Sequence, residues 1–200
     1  MTDPLRYYDL ERYLLEDVRD RLLTGQSIGA FDFFSIVIWK ANRAKSRIAN
    51  RLRDKDPKKR NALEPIVRDL TRSLHDAHDD RARLSILLAD WGFMLPMATA
   101  ILSILWPNEF TVYDVRVCGE LGAFGNLDNL GTFDQKWTGY CRYRDAVRAK
   151  VPQVDSLRDK DRYLWAQSAI RQLEADIATG FVRTTDAQQI VGRERRERVS

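Results

Sequence analysis

Cysteine and histidine are scarce in this sequence, which has two of each among its 200 residues. Cys118 and Cys141 stand in unrelated contexts, which gives no disulfide framework and indicates a reducing compartment. His75 and His78 have the i, i+3 spacing of a metal-binding pair on a helix, but nothing else in the sequence completes a site. The acidic residues around them are typical of a solvated helix end. We therefore expect two inert thiols, no disulfide and no bound metal.

Long hydrophobic runs are also missing. No stretch approaches the roughly 18 consecutive apolar residues that a membrane-spanning helix needs. The chain starts with MTDPLRYYDLERY, which is polar and aromatic rather than basic and then apolar, so we expect no secretory signal and a cytoplasmic location. With 44% hydrophobic and 31% charged residues, the composition is that of a globular protein. The length allows one sizeable core.

The alternating pattern of a half-buried strand is absent as well. Apolar residues recur with the helical period instead, and Gly, Pro and Asn separate the periodic segments. The sequence therefore predicts an all-α fold. We expect one domain at residues 1–191, with a core at about 31–124, and a charged tail at 192–200. The predicted helices cover residues 5–23, 31–52, 57–74, 81–91, 96–106, 115–124, 132–150 and 157–179.

The positive charge of the chain is concentrated in one segment. The net charge is only +4, yet residues 39–60 contain ten Lys or Arg and two Asp, a local charge of +8, which leaves −4 for the rest. A concentrated basic segment favours a polyanionic partner such as nucleic acid. The alternative is a solvated helix face followed by a basic loop.

The most informative segment is 92–117, with the sequence GFMLPMATAILSILWPNEFTVYDVRV. Pro96 suits the first turn of a helix, and residues 97–106 are apolar with two polar breaks, which predicts a helix buried on nearly all sides. Asp114 stands at the start of the next predicted helix, so we expect its side chain to cap that helix. In that helix we expect Val115, Val117 and Leu121 to lie inside and Arg116 and Glu120 to lie outside.

Two parts of this segment resemble the helix-hairpin-helix DNA glycosylase superfamily. The helix MATAILS, at 97–103, looks most like the corresponding helix of the adenine-mismatch branch, and FTVYDVRV, at 110–117, looks like the family's aspartate segment. The resemblance implies a DNA repair enzyme that binds double-stranded DNA and excises a damaged, mismatched or modified base by base flipping. It also implies that Asp114 is the catalytic carboxylate, which stabilises cationic character on the sugar or orients the attacking water.

The chain departs from the family pattern at two hairpin positions. The lysine of the base-lyase members corresponds to Pro96, and the second glycine of the family's G-V-G hairpin corresponds to Met94, which leaves Gly92 as the first. The resemblance therefore implies a monofunctional glycosylase that leaves an abasic site. The iron–sulfur ligands of some members are absent, because the chain has only two cysteines, and we expect no cofactor.

The resemblance further implies a DNA-binding surface on residues 33–52, the counterpart of the family helix that reaches into the opened duplex. Lys40 follows a long apolar run there and is a second catalytic candidate as an amine nucleophile; the alternative is a phosphate contact or an ordinary surface lysine. Trp39 is expected to stack on a base, or else to pack in the core. The other residues expected to bind DNA are Asn42, Arg43, Lys45, Arg47, Arg51, Gly92, Met94 and Arg116.

A second function remains open on the same residues. Loss of the hairpin glycine at Met94 and of the lysine at Pro96 also fits a catalytically inactive module that binds DNA or a protein partner. A helical interaction domain without a nucleic-acid role is a third interpretation, because the overall charge is modest. The sequence does not specify the target base, the pathway or the oligomeric state.

Overall fold

The computed structural model describes residues 3–181, and the regular elements in this range are helical, so the all-α prediction is confirmed. None of the described helices is long and apolar enough to cross a membrane. The predicted domain end at 191 and the tail at 192–200 lie outside the described residues. The α-helices are α1 (Pro4–Tyr8), α2 (Leu10–Tyr13), α3 (Arg19–Gly25), α4 (Ala30–Ala41), α5 (Lys45–Lys55), α6 (Leu63–Asp76), α7 (Asp80–Ser85), α8 (Leu95–Leu105), α9 (Val115–Leu121), α10 (Phe133–Lys150) and α11 (Leu157–Ala178).

Helix α8 is the most deeply buried helix of the fold, as its apolar sequence predicts, and only Pro96 among its residues is partly exposed. Pro96 lies in the first turn, where its missing N–H leaves no hydrogen bond unmade. The Thr99 hydroxyl donates to the Leu95 carbonyl at 2.8 Å, and the Ser103 hydroxyl donates to the Ala100 carbonyl at 3.0 Å. The two polar breaks in the apolar run are therefore satisfied within the core. Helices α3, α4 and α7 pack against α8.

The segment 31–52, predicted as one helix, forms two. The backbone at Ala41 turns to φ −162° and ψ 87°, and a 3₁₀ turn (Asn42–Ala44) leads into α5. Helix α4 packs a broad apolar face against α8, whereas α5 buries only Ile48 and Leu52 and packs against α6. One straight helix could not bring both faces to the core, so packing overrides the continuous helical pattern.

Helix α6 begins at Leu63, so the predicted start at Pro57 is wrong. The fully buried Asp56 carboxylate accepts hydrogen bonds from the Arg60 N–H at 2.8 Å and from the Arg60 guanidinium at 2.9 and 2.8 Å. These bonds close a turn and hold the pKa of Asp56 well below its usual range. Within this turn Lys59 has φ 53°, which is incompatible with a right-handed helix.

The N-terminal segment, predicted as one helix at 5–23, is interrupted at Asp9, which caps α2. A single π-helical turn (Leu14–Val18) then joins α2 to α3. A polar cluster ties this region to α4. The Asp32 carboxylate accepts a hydrogen bond from the Tyr13 hydroxyl at 2.5 Å and two from the Arg21 guanidinium, at 2.8 and 2.9 Å.

Two side chains of α9 point opposite to their predicted directions. Val115 is 79% exposed, whereas the Glu120 side chain is almost fully buried and pairs with Arg171 of α11. Helix α11 packs along α9 and covers the side of α9 that carries Glu120. The expected inward position of Val115 and outward position of Glu120 are therefore wrong, because a two-turn helix leaves its orientation to its neighbours.

The predicted helices at 132–150 and 157–179 are present as α10 and α11. Thr132 and Gln135 form a capping box at the start of α10. Gly180, with φ 62°, ends α11, and the Phe181 N–H donates to the Asp176 carbonyl at 2.7 Å in a C-terminal cap. The apolar residues of the last turns of α11 are exposed rather than buried, namely Ile170, Leu173 and Ile177.

Candidate active site

The segment that delivers Asp114, residues 110–113, is extended and buried, and side chains from three helices satisfy its backbone. The Tyr140 hydroxyl accepts from the Thr111 N–H at 3.0 Å and donates to the Thr111 carbonyl at 2.8 Å. The Tyr143 hydroxyl donates to the Val112 carbonyl at 2.8 Å. Asp161 of α11 accepts the Val112 N–H at 3.1 Å, and Thr99 of α8 accepts the Tyr113 N–H at 2.9 Å. These bonds hold the segment, and with it Asp114, in place, although the segment forms neither a helix nor a strand.

Removal of one of these hydroxyls should be costly. We expect Tyr140→Phe to destabilise the protein by about 2 to 3 kcal/mol, because the N–H and the carbonyl of Thr111 both lose a partner in the core. The measurement is urea unfolding followed by circular dichroism. The matched control is Tyr8→Phe, since Tyr8 is 91% exposed, and it should leave the free energy of unfolding unchanged. Equal effects of the two substitutions would contradict this role of Tyr140.

Asp114 caps α9, as predicted. Its Oδ1 accepts the Arg116 N–H at 3.0 Å, and its Oδ2 accepts a hydrogen bond from Lys40 Nζ at 2.7 Å. The exposed fractions of the Lys40 and Asp114 side chains are 17% and 18%, so the ion pair is largely removed from water but still reachable. The structure therefore brings together the two residues that the sequence indicates as catalytic candidates, although 74 positions separate them.

The ion pair lies in the wall of a cavity of about 750 Å³. Helix α4 contributes Trp39 and Lys40, the extended segment contributes Val112 and Asp114, and the start of α11 forms much of the remaining wall. A cavity of this size suits a small organic ligand or one nucleotide unit. The lining residues are Glu11, Trp39, Lys40, Val112, Asp114, Val154, Arg158, Asp159, Asp161, Arg162, Tyr163, Trp165 and Ala166.

The charged groups of the cavity pair with one another. Arg158 contacts Asp161 at 2.8 Å and Glu11 at 2.7 Å, and Arg162 contacts Asp159 at 2.9 Å. Burial raises the pKa of Asp161, although the Arg158 guanidinium opposes that shift. The lining contains three basic and four acidic side chains, which gives it a formal charge of −1. The cavity therefore offers no surplus positive charge to an anion.

Two tryptophans of the cavity carry an arginine on a ring face. The Arg158 guanidinium lies 5.0 Å from the centre of the Trp39 ring, and the Arg116 guanidinium lies 5.6 Å from the centre of the Trp165 ring. Trp39 is only partly buried, so it is a wall residue of the cavity rather than a purely core residue. Such contacts help to fix the orientation of the indoles, and each arginine covers one face of its ring.

Some predicted DNA contacts lie elsewhere. Asn42 is outside the cavity lining, on the exposed 3₁₀ turn, where its side-chain oxygen accepts a hydrogen bond from Lys45 at 3.1 Å. Arg43 is exposed nearby, and Met94 is exposed at the residue that precedes α8. Arg116 packs on Trp165 instead of standing free. Lys40 therefore lines the cavity, whereas Asn42, expected on the same DNA-binding surface, does not.

A second, more open depression of about 740 Å³ contains three of the predicted residues, Arg47, Arg51 and Gly92. We call it the basic groove, and its lining residues are Arg47, Asn50, Arg51, Asp54, Lys55 and Gly92. Helix α5 provides all of them except Gly92, which lies in the connection that leads to α8. The structure thus joins the basic helix α5 to Gly92 on one surface.

Helix α11 supplies the part of the cavity that the sequence pattern did not reveal. Arg158, Tyr163 and Trp165 read as members of a helix with one buried face, yet they line a cavity. The available signal was the spacing of Tyr163 and Trp165, since two aromatic residues two positions apart do not both fit one narrow apolar stripe of a helix. A second signal was the i, i+3 spacing of two opposite charges, Arg158 and Asp161. The structure shows that this pair is buried.

The cysteines lack the environment of reactive thiols. Burial raises the pKa of the Cys118 thiol to about 11, and it also raises the pKa of Cys141. Both thiols therefore stay protonated near neutral pH, consistent with inert side chains. Among the residues that the structure covers, no cluster of three or more His, Cys, Asp or Glu side chains could hold a metal ion.

Fold and site together define an all-α protein with an aromatic cavity and an Asp–Lys pair in its wall, beside a separate basic groove. Comparison with protein-family models, with curated proteins and with solved structures finds no match to this chain.

Proposed function

We propose that the chain is a base-flipping DNA N-glycosylase in which Asp114 is the catalytic carboxylate. The observation that carries this proposal is the placement of Asp114, which the start of α9 and the Lys40 ammonium hold at the wall of the aromatic cavity. The resemblance of residues 97–117 to the helix-hairpin-helix glycosylases supports the same role.

A nucleobase matches the cavity better than a phosphate does. Trp39, Tyr163 and Trp165 offer flat surfaces for a planar ring, and base stacking on aromatic side chains contributes about 1 to 3 kcal/mol per base. The charged side chains around these rings are already paired, so an added anion would find no free cation there. A neutral, planar, polar ligand such as an extruded base avoids this penalty.

The chemistry asked of Asp114 is electrostatic. When the N-glycosidic bond breaks, its electron pair leaves with the base and positive charge develops on the sugar. The carboxylate stabilises that charge, and it can orient a water molecule that adds to C1′ and releases a proton, which the departing base takes up. Because Oδ1 and Oδ2 are held by Arg116 N–H and Lys40, the carboxylate requires little reorganisation during the reaction.

Lys40 acts as the partner of the carboxylate rather than as a nucleophile in this proposal. Lys40 Nζ donates a hydrogen bond to Asp114 Oδ2 at 2.7 Å, and an attack on C1′ or an aldehyde would require the amine to give up that bond. Pro96 supplies no alternative amine in the first turn of α8. The proposed enzyme is therefore monofunctional and leaves an intact abasic site.

The test is a panel of duplexes that carry single damaged, mismatched or modified bases. We expect at least one duplex to yield strand breaks only after alkali treatment, because base release without lyase action leaves an abasic site. Asp114→Asn, purified in parallel, controls for contaminating glycosylases. Borohydride added during the reaction should trap no covalent protein–DNA complex, because no imine forms.

Three results would contradict parts of this proposal. Breaks of equal extent with Asp114→Asn would remove Asp114 from the chemistry. A borohydride-trapped complex that disappears in Lys40→Gln would make Lys40 the nucleophile and the enzyme bifunctional. Binding to every duplex without any break would favour the catalytically inactive DNA-binding module.

A further inference from the structure

The basic groove is built from the solvent face of α5. Ile48 and Leu52 of this helix are buried, so positions 47, 50, 51, 54 and 55 face away from the core and line the groove. Gly92 closes one side. It has φ 65°, and a β-carbon at this position would lie 3.5 Å from Lys55 Cε and 3.8 Å from Arg51 Nη1. The positive φ is the reason for glycine here, since a β-carbon would only be in ordinary van der Waals contact with the two cationic side chains.

The cations of the groove differ from those of the cavity in being unpaired. Within residues 3–181, none of the salt bridges involves Arg47, Arg51 or Lys55, and Asp54 is the single acid in the lining. The groove therefore has a formal charge of +2. Asn50 is oriented as a donor, because its side-chain oxygen accepts a hydrogen bond from Arg53 at 3.3 Å and its amide nitrogen is left for a ligand.

The start of α8, next to this groove, already holds an anion of the protein itself. The Leu95 N–H donates to the Asp128 carboxylate at 2.8 Å. A helix N-terminus favours negative charge, and here an aspartate from another part of the chain supplies it. A phosphate placed at the same N–H would meet the Asp128 charge and be repelled.

We propose that the basic groove, and not the start of α8, binds the phosphates of the DNA backbone. Arg47, Arg51 and Lys55 neutralise the phosphodiester charge, and Asn50 donates a hydrogen bond to a phosphate oxygen. The groove adds Lys55 and Asn50 to the residues that the sequence indicates. This assignment rests on the proposed function in one respect, namely that DNA is the ligand.

The division of charge between the two concave surfaces supports this assignment. Phosphates require free cations, which the groove has, whereas an extruded base requires flat apolar walls with satisfied charges, which the cavity has. Phosphate contacts fix register on the duplex without reading sequence. The groove would thus hold the strand while the cavity receives the base.

The experiment measures binding to an undamaged, fluorescein-labelled duplex by fluorescence anisotropy at several salt concentrations. We expect Arg51→Gln/Lys55→Gln to weaken binding at low salt at least about tenfold, and to reduce the slope of log K against log salt by about two. The matched control is Arg142→Gln/Lys150→Gln, which removes the same charge from exposed positions on α10. The control should keep the wild-type slope. Thermal melting checks that both variants are folded.

A third variant tests the start of α8. Asp128→Asn keeps an oxygen that can accept the Leu95 N–H but removes the charge. If the Asp128 charge is what excludes a phosphate from α8, the slope of Asp128→Asn should be larger than the wild-type slope by about one, and an unchanged slope would contradict this reason for assigning the phosphates to the groove. An unchanged slope in the Arg51 and Lys55 variant would overturn the proposal, while base release, measured separately, would still stand. A wild-type chain that binds no duplex would overturn the groove and the proposed function together.

Discussion

Asp114→Asn should slow base release about 100- to 1,000-fold, while the Kd for the same duplex stays within about threefold of the wild-type value. Asparagine caps a helix as well as aspartate does, so α9 should keep its Arg116 N–H bond and the protein should fold. What disappears is the negative charge beside the sugar, which stabilises the transition state more than the ground state. Single-turnover kinetics on the best substrate of the panel measure the effect.

The matched control for this substitution is Asp159→Asn. Asp159 also lines the cavity and loses the same charge, but its carboxylate is exposed and contacts Ser156 and Arg162. We expect less than about a fivefold change in its single-turnover rate. If Asp159→Asn slowed base release as much as Asp114→Asn did, the effect would come from the overall charge of the cavity and not from the position of Asp114.

Phe110→Ala should destabilise the protein by about 4 kcal/mol and lower Tm by about 8 to 16 °C. Phe110 is fully buried, and its ring stacks on Tyr140 with the centres 6.1 Å apart. Removal of the ring leaves a cavity that the surrounding helices cannot fill by small movements. Differential scanning calorimetry and urea unfolding measure the loss.

The control is Phe31→Ala. Phe31 is 58% exposed and its ring lies beside that of Tyr7, so we expect a cost below about 1 kcal/mol. A small effect of Phe110→Ala would mean that the segment 110–114 does not depend on the core for its position. In that case the hydrogen bonds from Tyr140 and Tyr143 to this segment would not be what holds Asp114 in position.

The local sequence is enough to predict the buried helix α8 and the Asp114 cap of α9. The proline in the first turn and the unbroken apolar run leave α8 no stable position except the core, and the structure places it there. Asp114 caps α9 because an aspartate directly before a helix satisfies an N–H that has no other partner. Both predictions depend on neighbouring residues, so the local sequence contains the required information.

Errors arise where a distant contact competes with a local pattern. The helical pattern at 31–52 continues through Ala41, but the chain bends there because α5 must reach α6. Pro57 is a good helix start, yet the pairing of Asp56 with Arg60 closes a turn and delays the helix to Leu63. Val115 points outward because α11 decides which side of α9 is covered.

The amino-acid sequence by itself determines the helical class, the buried helix α8, the basic character of α5 and the cap at Asp114, because each follows from short-range periodicity or from one side chain at a helix end. Only the tertiary structure decides that Lys40 meets Asp114, that Arg158 and Trp165 complete a cavity, and that Arg51 and Lys55 lie against Gly92. These pairings join residues far apart in the chain. Their distances depend on how whole helices pack, which no local pattern encodes.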